Sequence, residues 1–425
     1  MAARIRNAGT RLFSSAGRYR EVRRSLHTPA SWQSRYGLDW TNFFIADVQT
    51  GFGTFVAFYL AHLGWSKSNV GIALTTGTLA AVVMQIPGGA LADAVTWKRT
   101  LLAAGIVMIG LAALILALAP SLPAVLFAEL LHGTTGGAIT PAIGAISLGL
   151  VGRSAMSLRT GRNFRYAAGG HALTAALMGL AGAYFSESAI FIAAAVLCVP
   201  ALIALGFIRP NEIDYRRARN AAKDAGHARV LDLVKNHRLV LFTAALVLFQ
   251  LADASMLPLI GENLATGTKQ QGSLWMSGLI IAPQLVVAIF APWVGYHSER
   301  KGRKPLLLIG FALEPIRAAL LAFTSNYVFL VVAQILDGVS GAIINVLTVL
   351  VVTDLTAGTG RFNLARGLVG AMIGVAASIS TLGTGYLFQG FGAMTGFLAI
   401  SGVAGLAAVL MGMFVAETKP AKYED

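Results

Sequence analysis

The sequence predicts an all-α membrane protein, with twelve transmembrane helices in two pseudo-symmetric halves of six helices each. Three observations lead to this fold class. The chain has 56% hydrophobic and 12% charged residues and a mean hydropathy of +0.68, and a water-soluble domain could not bury that much apolar surface. Apolar stretches long enough to cross a bilayer recur along the whole chain. Residues of the first half recur at a nearly constant spacing in the second half.

The apolar stretches set the order of the elements. Spans of about 20 mostly apolar residues are predicted at 41–63, 69–92, 100–118, 123–150, 166–185, 189–207, 239–261, 274–296, 305–323, 327–352, 367–388 and 393–415. They divide the chain into a basic N-terminal arm (1–38), a six-helix bundle (39–207), a linker loop (208–238), a second six-helix bundle (239–415) and a tail (416–425). The mixed charge of the linker predicts a solvated helix near the membrane surface.

The basic residues predict the orientation in the membrane. All but three of the 33 Lys and Arg residues lie in the arm, in alternate loops, in the linker or in the tail; the exceptions are Lys67, Lys269 and Arg317. The positive-inside rule then places both termini in the cytoplasm of a cell (inner) membrane protein. Topology and anionic lipid headgroups account for the net charge of +14, so no nucleic-acid partner is expected.

The arm has a second interpretation. Residues 1–24 are rich in Arg and Ser with a single acid, Glu21, and this composition resembles a mitochondrial presequence. The other loops show the same charge bias without the arm, which favours a cytoplasmic segment.

An internal repeat relates the two halves. Asp47 of span 1 and Asp253 of span 7 occupy equivalent positions, and so do Gly89 and Gly295 at the ends of spans 2 and 8. Several anchors in the same order at one spacing indicate two copies of one six-span unit.

A loop motif follows span 8, and a partial copy that keeps Gly89, Asp93 and Lys98 follows span 2. The segment from Gly295 to Lys304 reads GYHSERKGRK and resembles the Gly-x-x-x-Asp-Arg-x-Gly-Arg-Lys signature of the major facilitator superfamily, with Glu299 in place of Asp. The glycine allows two helices to approach closely, the acid lies against a neighbouring helix N-terminus, and the basic residues hold the loop at the cytoplasmic surface. The residues predicted to control conformational switching are Gly89, Asp93, Lys98, Gly295, Glu299, Arg300, Gly302, Arg303 and Lys304.

The resemblance implies a secondary transporter whose two halves rock around a central site. Its partners would be a small-molecule substrate, protons or another coupling cation, and membrane lipids, with the chain acting as a monomer. No P-loop sequence is present, so coupling is expected from an ion gradient. The single cysteine, Cys198, permits no multi-cysteine metal site, and no metal or cofactor is expected. The common motifs of membrane and hydrolytic enzymes are missing, which argues against an enzyme.

Ionisable residues within the spans are the candidate site residues, because charges in a bilayer usually mark a substrate or ion path. Glu314 and Arg317 are three residues apart, which predicts a local ion pair. Asp47 and Asp253 have no basic residue within one turn of their own helices. Gln49 and Gln250 add polar groups nearby.

Span 4 adds a second candidate. Glu129 and His132 lie where many drug–proton antiporters carry Arg-x-x-Gln-Gly, and their i, i+3 spacing suits a pair that shares a proton. Span 5 lacks the Gly-Pro step of those antiporters, and His171 there is interpreted as a packing residue. The predicted proton and substrate residues are Asp47, Gln49, Glu129, His132, Gln250, Asp253 and Asp337.

An acidic cavity with few arginines predicts proton-coupled efflux of a cationic, zwitterionic or amphiphilic compound, such as a drug, a metabolite or a siderophore. Organic phosphates and carboxylates usually need Arg or Lys clamps. The alternatives are a proton-coupled importer of a neutral nutrient such as a sugar, and a non-transporting receptor on the same fold.

Overall fold

A computed structural model describes residues 30–50, 56–57, 59–60, 63–184, 187–222, 230–257, 259–260, 269–323 and 326–421. Regular structure within these ranges is helical, without a β-strand. The helices are α1 (Trp32–Thr50), α2 (Lys67–Ala94), α3 (Lys98–Leu118), α4 (Leu122–Val151), α5 (Met156–Tyr184), α6 (Glu187–Gly206), α7 (Tyr215–Ala218), α8 (Val230–Lys235), α9 (His237–Asp253), α10 (Lys269–Lys301), α11 (Lys304–Phe323), α12 (Tyr327–Leu355) and α13 (Phe362–Phe414). The predicted all-α membrane fold is confirmed.

The helices match the predicted order of spans. Eight of the described helices are long and apolar enough to cross a membrane. The last of them, α13, contains two predicted spans and is broken at Gly392, whose φ of 80° ends one helical segment before the next begins. With α1, α5 and α9 in place of spans 1, 5 and 7, the described helices are consistent with twelve crossings.

Two helices begin about ten residues earlier than their apolar stretches predict, at Trp32 in α1 and at Met156 in α5. The polar N-terminal parts of these two helices carry opposite charges that pair with each other. Asp39 is buried in α1 and forms ion pairs with Arg159 and Arg162 of α5, with 2.8 Å between Arg162 Nε and Asp39 Oδ2. Charges that balance across two helices can lie within them, and a hydropathy window does not detect such pairs.

Two large apolar clusters correspond to the two bundles. One consists of residues between Ala30 and Ile213. The other consists mainly of residues from the second half and includes Leu148, Met156 and Ala168 of the first. The bundles meet mainly where α2 of the first half packs against α13 and where α10 of the second half packs against α5, with smaller contacts of α12 with α5 and of α13 with α4. Within their own halves, α2 packs against α4 and α10 packs against α12. We call the end of the structure that carries residues 89–99 and 295–304 the motif end.

The described part of the linker is a solvated helix only near its end, at α8 (Val230–Lys235), where Asp232, Val234 and Lys235 are exposed. Residues 208–222 form instead a 3-10 turn (Pro210–Glu212) and the single turn of α7. The Asp214 amide donates to Gly149 O at the end of α4 (3.1 Å). Buried Asn220, with a φ of 61°, donates to Thr353 O of α12 (2.7 Å). Asparagine tolerates this left-handed backbone, and its amide satisfies a carbonyl at a helix C-terminus. The linker therefore docks on both halves at the motif end.

Candidate functional site

A central cavity lies between the two halves and has two lobes. The larger lobe has a volume of about 380 Å³ and is lined by α2, α4, α5, α9, α12 and α13. The smaller lobe has a volume of about 170 Å³ and adds residues of α1. Both lobes share Thr140, Phe164, Val349 and Arg366. Helices from both bundles therefore enclose one site, as rocking around a central cavity requires.

The lining of the larger lobe combines apolar walls with a few polar groups. Gln250, one of the predicted site residues, lies here, together with Gln85, Asn345 and Thr348. His171, predicted as a packing residue, lines the smaller lobe. The side chains of Asp47 and Gln49 lie outside the described residues, so their roles stay predictions.

Arg366 occupies a place that the sequence did not predict. The spans place it in the loop before span 11, but α13 begins at Phe362, so Arg366 is one turn inside the helix. Its side chain lies against Gly144 of α4, and Nη1 donates to Thr140 O at 3.2 Å. No Asp or Glu is found among the described residues that line the two lobes. The expected acidic lining is therefore wrong for the described part of the cavity.

A second polar centre surrounds Arg317. Its Nη1 lies 2.7 Å from Asp253 Oδ1, 3.0 Å from Glu314 Oε1 and 2.8 Å from Asp337 Oδ1. The three carboxylates come from α9, α11 and α12. Arg317 and Glu314 are fully buried, whereas the side chains of Asp253 and Asp337 are 28% and 27% exposed. We call these four residues the Arg317 cluster.

The Arg317 cluster corrects two expectations. Asp253 is not a lone carboxylate, because Arg317 lies beside it although 64 residues separate them in sequence. The pair of Glu314 and Arg317 exists, but it is one part of a four-residue cluster. The carboxylate oxygens lie within 4.8 Å of one another, a spacing that suits a metal ion. Arg317 already supplies the cation that they surround, so we interpret the group as an ion-pair cluster.

Glu129 is buried between α4 and α2. Its carboxylate lies against Gly77 of α2, and its Oε1 has no hydrogen-bond partner among the described residues. His132 lies half-buried one turn later. Proton sharing between Glu129 and His132 stays a prediction.

Asp93 caps a helix of the other half. It accepts hydrogen bonds from the backbone amides of Asn363 (3.2 Å) and Leu364 (2.8 Å), and from Asn363 Nδ2 (2.8 Å). These amides begin α13, where unpaired N–H groups and the helix dipole favour a negative charge. Lys98 is the first residue of α3, and its Nζ donates to Val95 O at 3.0 Å. The two halves are thus joined by charge at the motif end.

The motif glycines lie where the halves cross. A Cβ on Gly89 would collide with the backbone of Asn363 and would lie 3.0 Å from Leu364 Cα. A Cβ on Gly295 would lie 2.5 Å from Ser157 O at the start of α5. Since these neighbours are backbone atoms, they cannot turn aside as a side chain could. The two motif copies therefore supply equivalent close approaches, α2 on α13 and α10 on α5.

The second motif copy forms its own ion-pair network. Buried Arg303 bonds to Glu299 Oε1 (2.9 Å), to Asp354 Oδ2 (3.2 Å) and to Ser298 Oγ (3.1 Å). Gly302 has a φ of 91° in the turn, a conformation that glycine adopts readily. The Arg300 guanidinium lies 4.6 Å from the centre of the Tyr296 ring. The sequence did not identify Asp354, because 51 residues separate it from Arg303.

Glu417 docks the tail on the motif end. It accepts hydrogen bonds from the amides of Arg303 (2.9 Å) and Lys304 (3.0 Å), at the start of α11. Burial opposes ionisation of Glu417, but amide hydrogen bonds from Lys419, Arg303 and Lys304 outweigh it and hold its pKa below the ordinary carboxyl range.

We expect Glu417→Gln to lower the thermal unfolding temperature by a few degrees at pH 7. A carboxyl whose pKa is lowered by folding contributes stability above its unfolded pKa, and that stability is lost as the pH falls through the folded pKa. The difference between wild type and variant should therefore shrink once the pH is below about 4.3. Thermal scans of both proteins at several pH values measure it, and a difference that does not change with pH would contradict the assignment.

Comparisons with known proteins agree with this geometry. A family model described as Major Facilitator Superfamily matches residues 39–283 and 254–425. The chain is 35% identical over 387 residues to the uncharacterized MFS-type transporter Rv2456c of Mycobacterium tuberculosis, covering 90% of this chain and 93% of that protein. It is 28% identical over 166 residues to the multi-drug resistance efflux pump PmrA of Streptococcus pneumoniae, covering 38% and 40%. The crystal structure of the nucleoside transporter NupG aligns with a TM-score of 0.64 at 17% identity, covering 89% of this chain and 99% of that one.

Proposed function

Because the chain belongs to the major facilitator superfamily, we propose that it is a secondary active transporter that exports a small organic solute in exchange for protons. The solute binds in the central cavity, and the Arg317 cluster carries the protons. Both termini lie in the cytoplasm, as the distribution of basic residues predicts, and the motif end then faces the cytoplasm.

The charge count of the Arg317 cluster is the observation that carries this proposal. Three carboxylates surround one guanidinium, so the fully ionised cluster has a net charge of −2. Like charges a few ångströms apart repel strongly where little water screens them. The cluster therefore favours taking up protons, and the number it holds depends on its surroundings.

The exposure of the cluster gives protons a route to water. The Glu314 side chain is fully buried, whereas those of Asp253 and Asp337 are each more than a quarter exposed. A rocking motion that changes which side this water faces would let the two aspartates load on one side and release on the other. Glu129 with His132, and Asp47 with Gln49, are the further candidates for the same path.

Export is supported by the likeness to an efflux pump, which covers 38% of the chain. The contact between the two halves at the motif end also suits export. The approaches of Gly89 to Asn363 and of Gly295 to Ser157 hold the halves together at the motif end. A cavity closed there is a state from which a solute leaves on the opposite side.

The test is solute movement in proteoliposomes that contain the full chain and the pH-sensitive dye pyranine. A panel of 2-naphthoate, 2-naphthamide and ethidium is offered with and without an imposed pH gradient. We expect the transported solute to move at least about tenfold faster with the gradient, with a matching change of internal pH, and a protonophore should remove both effects. Transport at the same rate without a gradient would contradict proton coupling.

A further inference from the structure

We infer that the transported solute is an amphiphilic organic monoanion whose oxyanion head binds Arg366 in the central cavity. This inference rests on the proposed function, because it assigns the substrate class of the same cavity. It starts from the single charged side chain among the described residues that line both lobes.

The charge of Arg366 is not balanced by a described acid. The guanidinium makes one hydrogen bond among the described residues, to Thr140 O, and its Cζ lies 5.7 Å from the centre of the Phe362 ring. A guanidinium carries five N–H donors in a planar fork, so most of its donors remain available to a ligand. A cation between apolar walls is costly unless an anion accompanies it.

The neighbouring polar groups complete an anion site. Thr348 lines the same lobe, and its Oγ1 is buried without a hydrogen-bond partner in the described part of the chain. Gln85 and Asn345 add amide donors from α2 and α12. A carboxylate takes a bidentate pair of hydrogen bonds from an arginine and can accept further bonds from hydroxyl and amide groups.

The rest of the lobe suits an apolar body. Phe164, Phe249, Ile344 and Ile373 form its walls. A volume of about 380 Å³ is at the lower end of the range for small-molecule cavities, which fits one or two fused rings beside the head group. The site thus selects one negative charge on a compact amphiphile.

A cationic solute has no comparable partner here. The half-buried acids Asp253 and Asp337 are bound to Arg317, and neither is among the described lining residues. Arg366 would repel a cation. The cavity therefore suits anions and not the cationic compounds expected from the sequence, and a zwitterion would bind through its own carboxylate.

The test measures equilibrium binding to the purified full chain in detergent, without a gradient, using three probes that share one ring system. These are 2-naphthoate (anionic), 2-naphthamide (neutral) and 2-naphthylmethylammonium (cationic), each followed by ligand-dependent thermal stabilisation. We expect 2-naphthoate to bind at least about tenfold more tightly than the other two, because hydrogen bonds to charged groups are the strong ones.

The variants assign this preference to one side chain. Arg366→Gln should weaken 2-naphthoate binding at least about tenfold and leave the amide within about twofold. Arg366→Lys keeps the positive charge but lacks the planar fork of N–H donors, so its affinity for 2-naphthoate should lie between those of wild type and Arg366→Gln. Arg209→Gln, which removes an exposed arginine of the linker, is the matched control and should bind as wild type does.

Three results would overturn the inference: absent binding of 2-naphthoate at millimolar concentration, equal or tighter binding of the cation, or unchanged 2-naphthoate binding in Arg366→Gln. If Arg366→Gln does not fold, the wild-type panel and Arg366→Lys decide. Because no gradient is present, failure here leaves proton coupling standing. Binding that depends on Arg366, together with transport that ignores the pH gradient, would uphold the anion site and reject the coupling.

Discussion

Asp253→Asn is expected to abolish gradient-driven transport while leaving equilibrium binding of the solute within a few-fold. Asparagine keeps the shape of the side chain and removes the proton-carrying group, so the Arg317 cluster can no longer load and release a proton at that position. Solute binding should survive because Asp253 is not among the described residues that line the cavity. Asp337→Asn should behave alike, because Asp337 makes the equivalent contact with Arg317 (2.8 Å).

The measurement is solute flux in proteoliposomes with an imposed pH gradient, followed by counterflow without one. Counterflow should persist in both variants, which separates lost coupling from a misfolded protein. Asp214→Asn is the matched control, since Asp214 is a partly exposed acid of the linker outside the cluster. Full gradient-driven activity in both cluster variants would mean that the cluster is structural, and Glu129 with His132 would be tested next.

Gly89→Leu and Gly295→Leu are expected to slow solute exchange at least about tenfold, with binding changed only a few-fold. Each leucine would push against backbone of the other half, Asn363 for Gly89 and Ser157 for Gly295. Forcing extra carbon into a close-packed crossing costs about 1–3 kcal/mol, which shifts the equilibrium between the open and the closed motif end by roughly fivefold to 150-fold.

Matched controls lie on the same two helices. At Gly71 of α2 and Gly278 of α10, an added Cβ would point into open space, with no neighbouring group within 4 Å, so leucine there adds bulk without a collision. Gly71→Leu and Gly278→Leu should exchange solute as wild type does. If all four variants slow exchange equally, the effect belongs to glycine in these helices and not to the crossings.

The sequence predicts the fold well because the bilayer imposes a length and a polarity on every span. The twelve apolar stretches and the two motif copies follow from this rule and from repetition. Errors occur where polar residues extend a helix, as at Trp32 and Met156, because Asp39 and Arg159 neutralise each other across α1 and α5. A window along one chain cannot detect compensation between two helices.

The candidate site was predicted only in part for a related reason. Asp253, Asp337 and Gln250 stand out as polar residues in apolar stretches, and they do lie in the polar centres of the structure. Their partner Arg317 cannot be identified from the sequence, because it is spaced to pair with Glu314 three residues away. Arg366 lies at the edge of its span, where a basic residue is typical of a loop. Only the packing of α13 against α4 turns it toward the cavity.

The docked linker has a kinetic consequence. Its hydrogen bonds to Gly149 O in one half and to Thr353 O in the other must stretch or break whenever the two halves separate at the motif end. Each opening then begins with a loss of hydrogen bonds, and a carrier that returns without solute has no ligand in the cavity to offset that loss. We expect this return without solute to be the slow half of the turnover, so that solute supplied on the far side accelerates the outward movement of solute.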